Sequence, residues 1–168
     1  MEISKKDRLI LINQYRILAK LDNEDAEFYN EAIDILENGY AIFYNQIIGG
    51  ISDEMSEIDG KFVLNILDLY RAIEDLKRTT KDHELINHRY SIFPGFDGNN
   101  ETEHMSFCRF LIQKQNKFIE QQQYMVKNDN LNSHIPMIDK YTRMLEKSKE
   151  LNNIWQINVE QALNILSA

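Results

Sequence analysis

Apolar residues recur along this chain at intervals of three and four, the spacing of one face of an α-helix. Leu9, Ile12 (or Leu11), Tyr15, Leu18 and Leu21 make the first stripe, with Ser4 and Asp7 resembling a capping box ahead of it and Asp22-Asn23 closing it. A second helix is predicted from Asn23 or Glu24 through Phe28, Ala32, Ile35 and Leu36 to Asn38-Gly39, where Gly39 supplies a left-handed cap. Tyr40 to Ile48 reads as a short third helix or amphipathic segment, broken by Gly49-Gly50. The strongest pattern is Val63, Ile66, Leu67, Tyr70, Ile73 and Leu76, joined by Phe62, Leu64 and Leu69 off the main stripe. So broad an apolar surface predicts a central helix over 56–80 that is covered from more than one side.

Periodicity fades from Lys81 to Pro94, and Ile92 to Phe96 reads as extended chain because a residue before proline is pushed out of the helical region. A second long helix is predicted over 101–126, with Met105, Cys108, Leu111, Ile112, Phe118 and Ile119 inward. Lys127 to Ser133 is a polar loop, and Pro136 is placed for the first turn of a helix carrying Ile138, Tyr141, Met144 and Leu145. Asn158 and Gln161 form a capping pair before a last short helix. The expectation is one all-α domain over 1–168, with six or seven helices, two of them long and central.

Composition narrows the partners more than it names them. The 168 residues are 43% hydrophobic, with 27 acidic and 19 basic side chains and a net charge of −8. Repulsion of phosphates by that charge makes nucleic acid a poor partner. Apolar runs such as Leu9 to Ile12 are far too short to span a bilayer, so no membrane partner is expected. The N-terminal residues lack the apolar core of a signal peptide, and the single cysteine, Cys108, suits a reducing cytoplasm.

Chemistry concentrates in the stretch Pro94-Gly95-Phe96-Asp97-Gly98-Asn99-Asn100-Glu101. Its glycine spacing fits neither phosphate-binding pattern, and the twelfth residue from Asp97 is Cys108 where a calcium loop needs glutamate. The spacing instead predicts a turn at Pro94-Gly95, anchored by Phe93 and Phe96 and ended by a cap at Asp97 or Asn100. Glu101, His104 and Cys108 share a helix face, yet Cys108 lies in the apolar stripe between Met105 and Ile112, so a buried inert thiol is expected and no metal or cofactor is assigned. Arg109, in an apolar segment, is expected to pair with a carboxylate such as Asp97 or to hold loop carbonyls. Lys140, Arg143 and Lys147 form a basic stripe interleaved with acids, which reads as a solvated face.

Four blocks together resemble the YfbU-like proteins of bacteria and archaea: Arg8-Leu9-Ile10-Leu11 with Asn13-Gln14-Tyr15; Ile66 to Ala72; Gly95-Phe96-Asp97 with Glu101 and Arg109-Phe110; and Pro136-Met137 with Lys140-Tyr141 and Arg143-Met144-Leu145. The resemblance implies an all-helical fold with no assigned activity. Some relatives carry this domain beside a helix-turn-helix segment, which implies a ligand-sensing role by analogy, although no such separate segment is expected in this chain. His104 and Cys108 depart from the family pattern, whereas Asp97, Glu101, Arg109, Asn13, Gln14, Tyr15, Tyr70, Tyr141 and Arg143 match it and become the candidate ligand-binding residues. The leading expectation is a self-associating regulatory module, a dimer first, with a small molecule or another protein as partner. Two competing readings are an enzyme with Asp97 or Glu101 as acid/base and Arg109 orienting an anionic substrate, and weak nucleic-acid binding through Lys140, Arg143 and Lys147.

Overall fold

A computed structural model describes residues 2–168. Among them the chain is all-α, with eight α-helices, short 3-10 and π turns between them, and no β-strand beyond one isolated bridge. The helices outnumber the six or seven expected because polar segments read as loop, such as His83–Asn87, coil into single turns once an upstream side chain caps them; Asp82 accepts from the Leu85 N–H at 2.9 Å. The chain divides into two compact units, Met1–Glu54 and Met55–Ala168. Each has its own hydrophobic core.

The first unit is a helical hairpin of α1 (Lys5–Leu21) and α2 (Ala26–Asn38), followed by a 3-10 turn at Ala41–Phe43 and α3 (Tyr44–Ile48). Ser4 caps α1 by accepting from the Asp7 N–H, and Gly39 ends α2 at φ 70°, both as the sequence implies. Its core is Ile12, Ile33, Ile35, Leu36 and Tyr44. Contrary to the predicted stripe, Leu9, Leu18 and Leu21 are exposed, Leu21 by 77%. Helix α1 carries apolar residues on several sides, and the shorter α2 covers the side of Leu11, Ile12 and Tyr15.

The second unit is built on α4 (Glu57–Thr80), the predicted long central helix, which buries Val63, Ile66, Leu67, Leu69, Tyr70 and Ile73 completely. Around it lie α5 (His83–Asn87), α6 (Thr102–Arg109), α7 (Ile138–Ser148) and α8 (Val159–Leu166), the last held by the expected Asn158–Gln161 capping box. The second predicted long helix is not continuous. After Arg109 it widens into a π turn over Phe110–Lys114, breaks at Asn116 and Phe118, both at positive φ, and resumes as a 3-10 segment over Ile119–Tyr124. Gln113 to Lys117 has no apolar residue to hold it on the core, and Asn tolerates the left-handed conformation. The break lets Phe118 bury beneath the Arg71 guanidinium, 4.2 Å from its ring centre.

The loop from Phe93 to Glu101 is pinned rather than free. Phe93 and Phe96 are fully buried, and Phe96 makes the isolated bridge with Asn132: its N–H donates to the Leu131 carbonyl at 3.0 Å, and the Ser133 N–H donates to its carbonyl at 3.1 Å. Gly95 adopts φ 92° against the Leu131 backbone, where any Cβ would collide with that carbonyl. Gly95→Ala is therefore expected to lower the unfolding free energy by about 2 kcal/mol or more, read as a shift in the urea midpoint.

Candidate functional site

Asp97 and Glu101, the two carboxylates singled out in the sequence, meet at the start of α6. The Asp97 side chain folds back on its own turn, accepting from the Asn99 N–H at 3.2 Å and from the Asn100 amide. These bonds, led by the Asn100 amide, hold the Asp97 carboxyl below its ordinary value. Glu101 is buried at 5% exposure, and both its oxygens are engaged. Its Oε2 accepts from the Asp97 N–H at 2.9 Å, while Oε1 accepts from the Met137 and Ile138 N–H groups at 2.6 and 2.9 Å.

Arg109 takes the second of its two expected roles. Its Nε donates to the Asn130 carbonyl at 2.8 Å, so it holds a loop carbonyl and does not pair with Asp97. That carbonyl belongs to Asp129-Asn130-Leu131, three successive residues at positive φ, a conformation that a guanidinium donor helps to fix. The three candidates thus form two separate supports of one loop region. Cys108 is fully buried, and burial pushes its thiol well up. His104 packs on Phe62 and Phe96, with Nε2 3.6 Å from Asp59.

Tyr70 and Tyr141 enter an aromatic cluster with Phe93 and Phe96, with ring centres 5.1 to 6.2 Å apart. The Tyr141 hydroxyl donates to the Gly95 carbonyl at 2.7 Å, and the Tyr70 hydroxyl, fully buried, meets no protein partner among the described residues. Asn13 and Gln14 stand exposed on α1, and Tyr15 stacks on Tyr29 at 6.0 Å. The basic stripe of α7 is largely occupied. Lys140 donates to the Leu166 and Ala168 carbonyls at 2.9 and 3.0 Å, and Lys147 to the Asn164 carbonyl at 2.8 Å, so two of its three cations complete the C-terminal end of α8. Arg143 remains exposed.

The sequence gives little sign of one concavity of the second unit, a groove of about 750 Å3 between the N-terminal half of α4 and α7. Its apolar walls come from Phe62, Leu145, Leu151, Ile154 and Trp155, and Asp68 lies on its α4 side. The signal was there in part: Ile58, Phe62, Asn65 and Asp68 lie three or four apart, on a face of α4 beside its buried stripe.

A family model described as the YfbU domain matches residues 1–168. The chain belongs to the YfbU family. It is 48% identical over 169 residues to the UPF0304 protein MJECS11 of Methanocaldococcus jannaschii, covering 99% of each chain. It is 28% identical over 168 residues to the UPF0304 protein PM1500 of Pasteurella multocida, covering 100% of each. Neither name states an activity, which agrees with a YfbU-family resemblance that carries no assigned chemistry.

Removing the Glu101 acceptor strands three buried or half-buried N–H groups, so Glu101→Ala is expected to cost about 3 kcal/mol or more by urea denaturation. Glu101→Gln, which keeps one acceptor oxygen, is expected to cost less. Because the Asp97 carboxyl is held low in the folded chain, its stabilisation is present above its unfolded value and lost as pH falls through the native one. The stability gap between the native protein and Asp97→Asn should therefore be widest at neutral pH and close below about pH 4, as followed by urea midpoints.

Proposed function

We propose that the chain is a cytoplasmic, ligand-responsive or protein-interaction module with no chemistry of its own, in which residues 1–168 act as one functional unit. The observation that carries this reading is the engagement of Glu101. A general acid or base must exchange a proton with substrate, but both Glu101 oxygens already accept from backbone N–H groups and the side chain is nearly sealed. Asp97 is likewise turned onto its own loop, and Arg109 holds a backbone carbonyl. A groove of about 750 Å3 lies apart from these three side chains, with mostly apolar walls that suit binding more than proton transfer. No helix among the described residues is long and apolar enough to cross a membrane.

Self-association, with a dimer first, is supported by the apolar residues that α1 leaves exposed: Ile10 at 47%, Ile17 at 59%, Leu18 at 39% and Leu21 at 77%. The reading is tested by thermal-shift screening against metabolite and nucleotide libraries, alongside affinity capture and light scattering. A ligand at a hundredfold excess over its Kd should stabilise the chain by about 2.7 kcal/mol, a Tm rise of several degrees. A silent screen, with no captured partner and a monomer by light scattering, overturns the reading, and so does turnover of any library compound.

A further inference from the structure

We infer that the groove between α4 and α7 is a binding site for a small organic cation: an ammonium or amidinium group seated on Asp68, carried by an apolar body that packs against Phe62 and Trp155. This deepens the module reading above by naming the ligand class of one site.

The groove's volume of about 750 Å3 falls in the range of small-molecule sites, whose walls are mainly apolar with a few polar groups to fix orientation. Asp68 is the half-buried charge among its walls. Burial raises the Asp68 carboxyl above its ordinary value, Arg71 pulls it down, and Glu120 pushes it up again. Arg71, the nearest cation on its own helix, is engaged elsewhere: its Nε and Nη2 fork onto Glu120 at 2.8 and 3.3 Å, and its guanidinium lies over Phe118. Among the described residues no hydrogen bond or ion pair reaches the Asp68 carboxylate. A carboxylate taken partly out of water without a counter-charge gains most from a cation that arrives with a ligand.

The competing charges on the walls sit at the rim. Lys61 is 70% exposed and paired to Glu57 at 2.9 Å, while Glu146 on α7 and Lys149 just beyond its end are exposed. None of them is placed as Asp68 is, beside apolar wall and partly shielded. Phe62 and Trp155 supply aromatic surface that favours a cation or the apolar body attached to it. Phe62 and Asp68 are six residues apart on one helix, so their backbones are about 9 Å apart along its axis. That separation selects a charge held several carbons from the apolar body, over a compact ion.

Trp155 is the only tryptophan of the chain and lines the groove, so its emission reports on the site directly. The probes are 4-phenylbutylammonium, 4-phenylbutanol and 4-phenylbutyrate, matched in body and differing in charge, with benzylammonium as the short control. The expected result is a saturable change in Trp155 emission, with 4-phenylbutylammonium binding at least tenfold more tightly than the alcohol, the butyrate weakest, and benzylammonium weaker than its longer homologue. Asp68→Asn should reduce the ammonium to the affinity of the alcohol, while Lys149→Gln at the rim should leave it within twofold. The inference is overturned if the three charge types bind alike, if the butyrate binds best, if Asp68→Asn keeps the preference, or if emission does not respond. The charge series on the unmodified protein decides the matter even where Asp68→Asn does not fold. A flat charge series beside a library hit elsewhere on the chain sinks this site but not the module reading; turnover of a library compound sinks the module reading and leaves the charge preference of the groove to stand on its own.

Discussion

A single buried carboxylate organises the second unit. Glu101 binds the N–H groups of Asp97, four residues before it, and of Met137 and Ile138, 36 and 37 residues after it. The need for it is set by the start of α7. Helices begin with unpaired N–H donors that a local Ser, Thr, Asp or Asn usually satisfies, but here the capping position is Met137, which has no acceptor side chain. Glu101 supplies the acceptor from across the fold, and its negative charge also suits the positive end of the α7 dipole. Burying a carboxylate is costly, and three converging donors offset that cost at both oxygens. Around this centre the loop closes: Tyr141 on α7 donates to the Gly95 carbonyl, and Gly95 permits the backbone approach to Leu131 that no larger residue allows.

The same logic, polar side chains finishing backbone that the local sequence leaves open, recurs through the unit. Asn128 donates to the Phe93 carbonyl and accepts from the Leu131 N–H, joining the two halves of the loop region. Lys140 and Lys147 finish the carbonyl end of α8. Lys77, buried in the last turns of α4, places its three donors on Glu74, the Ser91 carbonyl and the Tyr124 hydroxyl at 2.6, 3.1 and 3.3 Å. Tyr124 in turn donates to Glu74 at 2.9 Å, and its own hydroxyl is pushed up to about 12, first by burial and then by that carboxylate. Among the polar residues matching the family pattern, Glu101, Arg109 and Tyr141 act in the same way, tying helices and loops to one another, whereas Asn13, Gln14 and Arg143 stay exposed.

Local signals in the sequence were reliable where the structure is locally determined. Ser4, Gly39 and the Asn158–Gln161 pair act on their own helix ends, and the apolar stripe of α4 is buried as its spacing requires. Phe93 and Phe96 anchor the turn at Pro94-Gly95 as expected. What the chain's order concealed was pairing at a distance. Nothing near Met137 announces that its cap lies at Glu101, and nothing near Arg109 distinguishes Asp97 from the Asn130 carbonyl as its acceptor. The break after Arg109 is of the same kind: Phe118 and Tyr124 reach α4 only if the helix yields at Asn116. Leu9, Leu18 and Leu21 fit a helical stripe by spacing, but spacing does not reveal that α2 covers a different side.

Helix α4 carries two ion pairs that are largely shielded from water, Lys77–Glu74 and Arg71–Glu120, and one half-buried carboxylate, Asp68, that joins neither. Lys77 closes on Glu74 because Tyr124 and the Ser91 carbonyl complete its coordination in a nearly dry setting. Arg71 could meet Asp68 one turn back or Glu120 across the fold, and it forks onto Glu120, since that choice adds the second hydrogen bond and the face of Phe118. The choice has a consequence for the rest of the helix. Satisfying Arg71 through Glu120 fastens the 3-10 segment to α4 and leaves Asp68 half-buried on the groove without a cation of its own. A half-buried charge left over in this way is where the groove can recognise a ligand by electrostatics, because the fold gives the Asp68 carboxylate no hydrogen-bonded partner of its own.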